Sequence, residues 1–336
     1  MLNHCVYLNW PVIPMNFKEI SAVVEEDFEA VNQLIVEQIH TRVPLVEEVG
    51  KYIIQSGGKR LRPLISLLSA RAAGYEGKEH INIAAVVEFL HTATLLHDDV
   101  VDKSDLRRGK ATVNSVWGNA PSVLVGDFLI SRAFQMVVSL GNLRVLGIIS
   151  DATNLIAEGE VLQLINCRDP DTTEERYMEV IHYKTAKMFE AAAEAGSVLA
   201  NPVNNMEDDF ARYADHLGRA FQLIDDVLDY TGNADEMGKN VGDDLAEGKP
   251  TLPLIEAMKR GSPEESILIK KAIQHGGLEQ LEAITAAVQN SGALDYTLKA
   301  AQHQSDMAKD ALSGVPASKY KDALIALADL AVNRDH

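Results

Sequence analysis

The chain has 336 residues, enough for one large domain or two ordinary ones, and 46% hydrophobic content, enough for a substantial core. A net charge of −18 argues against nucleic acid or an anionic membrane surface as partner, so an anionic substrate must meet its cations locally. Two cysteines, Cys5 and Cys167, lack metal-ligand spacing, which fits the reducing cytoplasm and excludes a disulfide framework.

Residues 1–14 have no basic n-region and no clean apolar core, so they do not form a signal peptide. With Trp10, Pro11 and Pro14 they look unlike the rest of the chain, and they are set apart as an N-terminal extension to a domain over 15–336. From Phe17 to His40, apolar residues recur at helical spacing (Ile20, Val23, Val24, Phe28, Val31, Leu34, Ile35). A second helix spans about Val43 to Gln55 and stops at Ser56-Gly57-Gly58. A third, with Pro63 near its start, reaches about Ala73. A fourth runs from about Ile81 into Asp98-Asp99-Val100-Val101-Asp102. Lys103 to Asn119 reads as a loop, and helices follow from Pro121 to Leu140 and from Leu143 to Asn166. Asp169-Pro170-Asp171 breaks the chain before a helix carrying Lys184-Thr185, and Asn201-Pro202 breaks it again. The helix from Met206 carries Asp225-Asp226-Val227-Leu228-Asp229; Thr231 to Pro250 is a Gly- and Asp-rich loop; four or five helices remain. No alternating strand pattern and no run of about 18 apolar residues appears, which predicts one all-α domain without a membrane span.

The two acidic motifs are the informative stretches. Each closes an apolar helical run with carboxylates at i, i+1 and i+4, so on a helix the first and third lie about 40° apart and one turn apart. A single triad reads as a solvated helix end. Two copies, with no Lys or Arg inside either, read as sites that expect metal. Carboxylate oxygens suit Mg²⁺, which completes its shell with water and substrate phosphate. Basic groups stand one loop from each: Arg107 and Arg108 after the first, Lys239 and Lys249 after the second. Lys59, Arg60 and Arg62 meet free backbone N–H groups at a helix start, a place that favours anions. That is the pattern for two phosphorylated ligands, one held through metal and one through Arg and Lys alone. His97 reads as structural or bonded to the adjacent acids, and His91, two turns before Asp98, as an open candidate for ligand contact.

Together these motifs resemble the trans-type isoprenyl (polyprenyl) diphosphate synthases. The matching residues, in order, are Gly57-Gly58-Lys59-Arg60-x-Arg62-Pro63, Asp98 to Asp102 followed by Arg107-Arg108-Gly109, Lys184-Thr185, Gln222-x-x-Asp225-Asp226-x-x-Asp229, and Gly248-Lys249-Pro250-Thr251. The likeness runs from about Met15 to the C-terminus and is greatest to the bacterial branch that makes the octaprenyl side chain of quinones. It implies a helical bundle with a central cavity, a cytoplasmic homodimer, and about three Mg²⁺ ions per active site. It implies that Asp98, Asp102 and Asp225 are the principal metal ligands, with Asp99, Asp226 and Asp229 completing the clusters. Arg107, Lys184 and Lys239 would bind an allylic diphosphate, farnesyl diphosphate first; Lys249 joins the substrate-binding set. Lys59, Arg62, His91 and Arg108 would hold isopentenyl diphosphate, and Thr185 and Gln222 would lie near the allylic carbon. The product would be a long all-trans chain, octaprenyl before solanesyl or heptaprenyl, delivered to a membrane. Short-chain members place bulky aromatics at the positions matched by Ala93 and Thr94, so the small residues here imply an open channel continuing past Leu90 and Val87. A class I terpene cyclase would not need Lys59 and Arg62 or a second full acidic motif. A regulatory subunit would have lost one motif, and a cation-buffering protein would not need Arg107 and Arg108.

Overall fold

A computed structural model describes residues 15–202, 205–231 and 242–333. The first helical stretch is two helices, α1 (Phe17–Ala22) and α2 (Glu25–Ile39). Asn16 and Glu19 close a capping box on α1. Ile20, Val24, Val31 and Ile35 stay buried across the break at Val23 and Val24, which is why periodicity alone reads one helix. Next come α3 (Pro44–Gln55), α4 (Leu61–Ala72) and α5 (Glu79–Val101).

The segment read as a loop after α5 contains a hairpin. Leu106–Arg107 pairs antiparallel with Lys110–Ala111, and Arg108 and Gly109, at φ 53° and 72°, make the turn. Two-residue strands are too short to show alternation in a sequence. Tyr52 Oη donates to Ala111 O (2.7 Å), tying the hairpin to α3. After it come α6 (Val113–Trp117), α7 (Asn119–Ser139) and α8 (Leu143–Asn166).

The helix expected around Lys184 is three pieces: α9 (Glu174–Ile181), a π-helical turn (His182–Ala186) and α10 (Lys187–Val198). Such turns mark functional sites. This one is held where two glycines let neighbours approach closely. A Cβ on Gly159 of α8 would lie 2.8 Å from Lys184 N, and one on Gly218, in α11 (Met206–Thr231), would lie 2.6 Å from Ala186 Cα. The last loop also holds a short helix, α12 (Asp243–Glu247), between left-handed Gly242 and Gly248. Five helices follow: α13 (Leu252–Arg260), α14 (Pro263–His275), α15 (Leu281–Asn290), α16 (Ala293–Ala311) and α17 (Lys319–Val332).

The bundle centres on α10 and α11. α4 and α8 pack on α10, α16 packs on α11, and α5 lies between α4 and α7. Phe89, Phe189, Phe210 and Tyr213 are fully buried there, and each such side chain is worth about 1.5–3 kcal/mol of burial. α7 has no unbroken apolar run, since Asp127 and Arg132 interrupt it, but it is the most apolar long helix among the described residues. An 18-residue window in it has mean hydropathy 1.3, long and apolar enough to cross a membrane by composition. Here it packs against α5.

Candidate active site

Both acidic motifs sit at helix C-termini: Asp98 and Asp99 in the last turn of α5 with Asp102 as its C-cap, and Asp225, Asp226 and Asp229 near the end of α11. A helix C-terminus carries about half a negative charge, so carboxylates there deepen the demand for cations. The fold answers it from other elements. Lys184 Nζ, on the π turn, is 3.6 Å from Asp98 Oδ2. Lys249 Nζ, before α13, is 3.1 Å from Asp102 Oδ2. Arg107, on the hairpin, donates to Asp99 Oδ1 through Nε and Nη2 (2.9 and 2.7 Å). No Lys or Arg lies inside the motifs, and the offsetting cations come from elsewhere in the chain. Lys249 is 147 residues from its partner in sequence, beyond any local reading.

The six aspartates occupy unlike environments. Asp98 and Asp102 edge a cavity of about 360 Å³, whereas Asp99 is fully buried against Arg107. Burial raises the Asp99 carboxyl, partly offset by Arg107. Asp225 is half-buried, and Asp226 and Asp229 are buried. Asp226 belongs to a fixed chain: Thr185 Oγ1 donates to Gln222 Oε1 (3.0 Å), Gln222 Nε2 to Asp226 Oδ1 (2.8 Å), and Tyr177 Oη to Asp226 Oδ2 (2.5 Å). Burial, then the charge of Asp244, pushes the Asp226 carboxyl up to about 8. Lys184, Thr185, Gln222 and Lys249 line a second cavity of about 120 Å³, and Gln163 borders both.

From α5, the wall of the larger cavity below Asp98 is Thr94 and Leu90. Thr94 Oγ1 donates to His91 O (2.8 Å), which uses its one donor and suits an apolar wall. Ala93 and Val87 are fully buried and stand outside that wall.

Cations gather on the other side of α5. Arg62 Nη1 lies 3.1 Å from His91 Nε2, and its guanidinium stacks 4.5 Å from the Phe189 ring centroid. Burial and then the nearby guanidinia hold His91 well below the usual imidazole range. The ring is therefore neutral: Nε2 accepts from Arg62 and Nδ1–H remains a donor. Arg108 lies over the glycine loop, where a Cβ on Gly58 would collide with its guanidinium. A small cavity here is bordered by His91, Arg107 and Arg108. Lys59 is exposed and borders a separate apolar cavity of about 350 Å³ beside Phe189 and Phe221. Lys239 and the extension 1–14 lie outside the described residues.

Residues 43–290 match the family model for polyprenyl synthetase. The chain belongs to the polyprenyl synthetase family. It is 53% identical to an octaprenyl diphosphate synthase of Escherichia coli over 322 residues, 96% of this chain and 100% of that protein. It is 51% identical to a geranyl-diphosphate-specific all-trans-nonaprenyl-diphosphate synthase of Rhodobacter capsulatus, covering 95% and 99%. A crystal structure of a polyprenyl synthase from Caulobacter crescentus, complexed with calcium and isoprenyl diphosphate, superposes with a TM-score of 0.93 at 43% identity, covering 96% and 99%. This polyprenyl synthetase is thus a prenyltransferase with an all-α isoprenoid-synthase fold.

Three site residues of this synthetase escaped the sequence reading. Glu160 on α8 accepts from Lys184 Nζ (2.7 Å) and lines the larger cavity. Tyr177 holds Asp226, and Glu88 lines the guanidinium pocket. None belongs to a motif, and no local signal marks them. His97 bonds across to α7: its Nε2 is 3.2 Å from Val123 O and 3.5 Å from Asp127 Oδ1. Away from these cavities, His182, Glu190 and Asp215 place ligand atoms within 4.8 Å of one another. Lys187 and Arg219 already neutralise the two acids of that group.

Proposed function

We propose that this polyprenyl synthetase condenses isopentenyl diphosphate head-to-tail onto an allylic diphosphate, farnesyl diphosphate first, and repeats the step to all-trans octaprenyl diphosphate for a quinone side chain. The observation that carries the reading is two unlike anion sites on opposite sides of α5, one rich in carboxylates above an apolar cavity, the other rich in guanidinia. The carboxylate site fits Mg²⁺, because hard oxygen donors crowd there and lysines already stand at its edge. Asp98, Asp102 and Asp225 would hold the ions, with Asp99, Asp226 and Asp229 behind them, and bound Mg²⁺ supplies positive charge to the departing diphosphate.

This chain's own residues do the rest. Lys184, Lys249 and Arg107 reach diphosphate oxygens as the allylic C–O bond breaks and its electron pair leaves with the diphosphate. Thr185 and Gln222 border the carbon left behind. Arg62, Arg108 and the Nδ1–H of neutral His91 hold isopentenyl diphosphate, joined on the family resemblance by Lys59 from the neighbouring cavity, and its double bond forms the new C–C bond. A proton then leaves to an oxygen of the released diphosphate, so no protein base is needed. Excluding water keeps the cation from being quenched. Octaprenyl and nonaprenyl synthases are almost equally similar to this chain, so product length is settled by experiment: the radiolabelled product profile of the purified protein. An octaprenyl product is expected.

The two sites can be separated kinetically. Lys59→Ala and Arg62→Ala are expected to raise KM for isopentenyl diphosphate at least about 10-fold more than KM for the allylic substrate. Equal rises for both substrates would mean the pocket is misassigned.

A cytoplasmic homodimer is part of the same reading. Leu124, Val138, Leu143 and Ile165 are exposed on the helix pair α7 and α8, apolar side chains that a second copy would cover. Sedimentation at micromolar concentration should give twice the 36.7 kDa chain mass; monomer alone would count against it.

A further inference from the structure

The guanidinium pocket contains a carboxylate. Glu88 lies on α5 one turn before His91, lines the same cavity, and is only 15% exposed. An anion largely out of water beside a diphosphate site looks adverse, since it loses hydration and repels the ligand. Its surroundings supply the reason. Arg60 Nε is 3.9 Å from Glu88 Oε1. Burial raises the Glu88 carboxyl, and the charges of Arg60, Arg62 and Arg108 offset that rise in part. Arg108 opposes the charge of Arg62, Arg107 opposes that of Arg108, and Glu88 relieves both.

Two of these arginines need holding. Arg60 and Arg108 have φ of 49° and 53°, a left-handed conformation that persists only where contacts over-determine it. Arg60 also donates to Asn32. Arg107 and Arg108 are consecutive yet go separate ways. Glu88, His91, Thr92, Leu95 and Asp99 form one stripe of α5 along this cavity. Arg107 takes the acid at one end, Asp99, and Arg108 lies over Gly58 in the field of the acid at the other, Glu88.

We propose that Glu88 is a positioning residue: it gathers Arg60, Arg62 and Arg108 into one preassembled cradle for isopentenyl diphosphate. This rests on assigning that substrate to this pocket. Three guanidinia against one carboxylate leave two net charges for the ligand. Removing the carboxylate would add positive charge but release the arginines. Orientation dominates, because a guanidinium binds phosphate through a fixed fork of N–H groups and a misaimed fork loses both bonds.

The test compares wild type, Glu88→Gln and Glu88→Asp, with isopentenyl and farnesyl diphosphate varied separately. Glu88→Gln keeps the shape and removes the charge. It is expected to raise KM for isopentenyl diphosphate about 10-fold while KM for farnesyl diphosphate and kcat change less than about 3-fold. Glu88→Asp should recover part of the loss, and a melting temperature near wild type should show that the fold is kept. An unchanged or lowered KM for isopentenyl diphosphate, or equal rises for both substrates, overturns the inference, while a selective rise in that KM for Arg62→Ala in the same assay leaves the pocket's assignment standing. A wild type that turns over no isopentenyl diphosphate overturns the assignment and the inference together.

Discussion

Asp98→Ala and Asp225→Ala are each expected to lower kcat at least about 10³-fold, a loss of about 4 kcal/mol of transition-state stabilisation. The ionisation step separates an allylic cation from a diphosphate, and the carboxylates are what bring metal charge to that anion. The fold should survive the change at Asp98. Lys184 keeps its 2.7 Å bond to Glu160 when Asp98 is gone, so no buried charge is left alone. Removing divalent metal with a chelator should abolish turnover, and added Mg²⁺ should restore it. The measurements are steady-state kcat at saturating Mg²⁺ and a melting curve for each variant. Near wild-type turnover in either one removes that residue from the site.

Thr94→Phe is expected to shorten the product sharply, toward geranylgeranyl diphosphate, while preserving the first condensation. The growing chain must leave Asp98 and Asp102 along the cavity of about 360 Å³, and Thr94 is the first α5 side chain on its wall below Asp98, before Leu90. One helix turn is about 5.4 Å, so an aromatic ring at Thr94 narrows the channel early along its course and stops elongation after few added units. Ala93→Tyr, which the resemblance singles out, is a different experiment in this fold. Ala93 is fully buried outside the cavity wall. A tyrosine there should shorten the product only by pushing α5 inward, at an overpacking cost of about 1–3 kcal/mol. Chain-length analysis of radiolabelled products reads both. If Thr94→Phe folds and still makes the wild-type product, the chain does not pass this residue.

Much of this was legible along the chain, because it depends on short-range periodicity and local charge. Apolar residues at helical spacing located most helices, glycine and proline located most breaks, and the spacing of Asp98 to Asp102 and of Asp225 to Asp229 marked the acidic sites. What spacing could not show is which neighbour each side chain meets. It reads Asp98 and Asp99 alike; packing leaves one at the cavity and closes Arg107 over the other. It reads Lys184 as one more helical lysine; the close approaches at Gly159 and Gly218 hold the π turn that carries it to Asp98. It places Ala93 beside Thr94, one residue and about 100° apart, and only the packing of α5 decides which of them faces the channel. Glu88 and Glu160 have no motif at all, since a lone carboxylate acquires a role only from the cations that other elements bring to it. The sequence by itself determined the helices and the chemical groups available. The tertiary structure decided their pairing, because Coulomb and hydrogen-bond partners act over a few ångströms of space, whatever their separation along the chain.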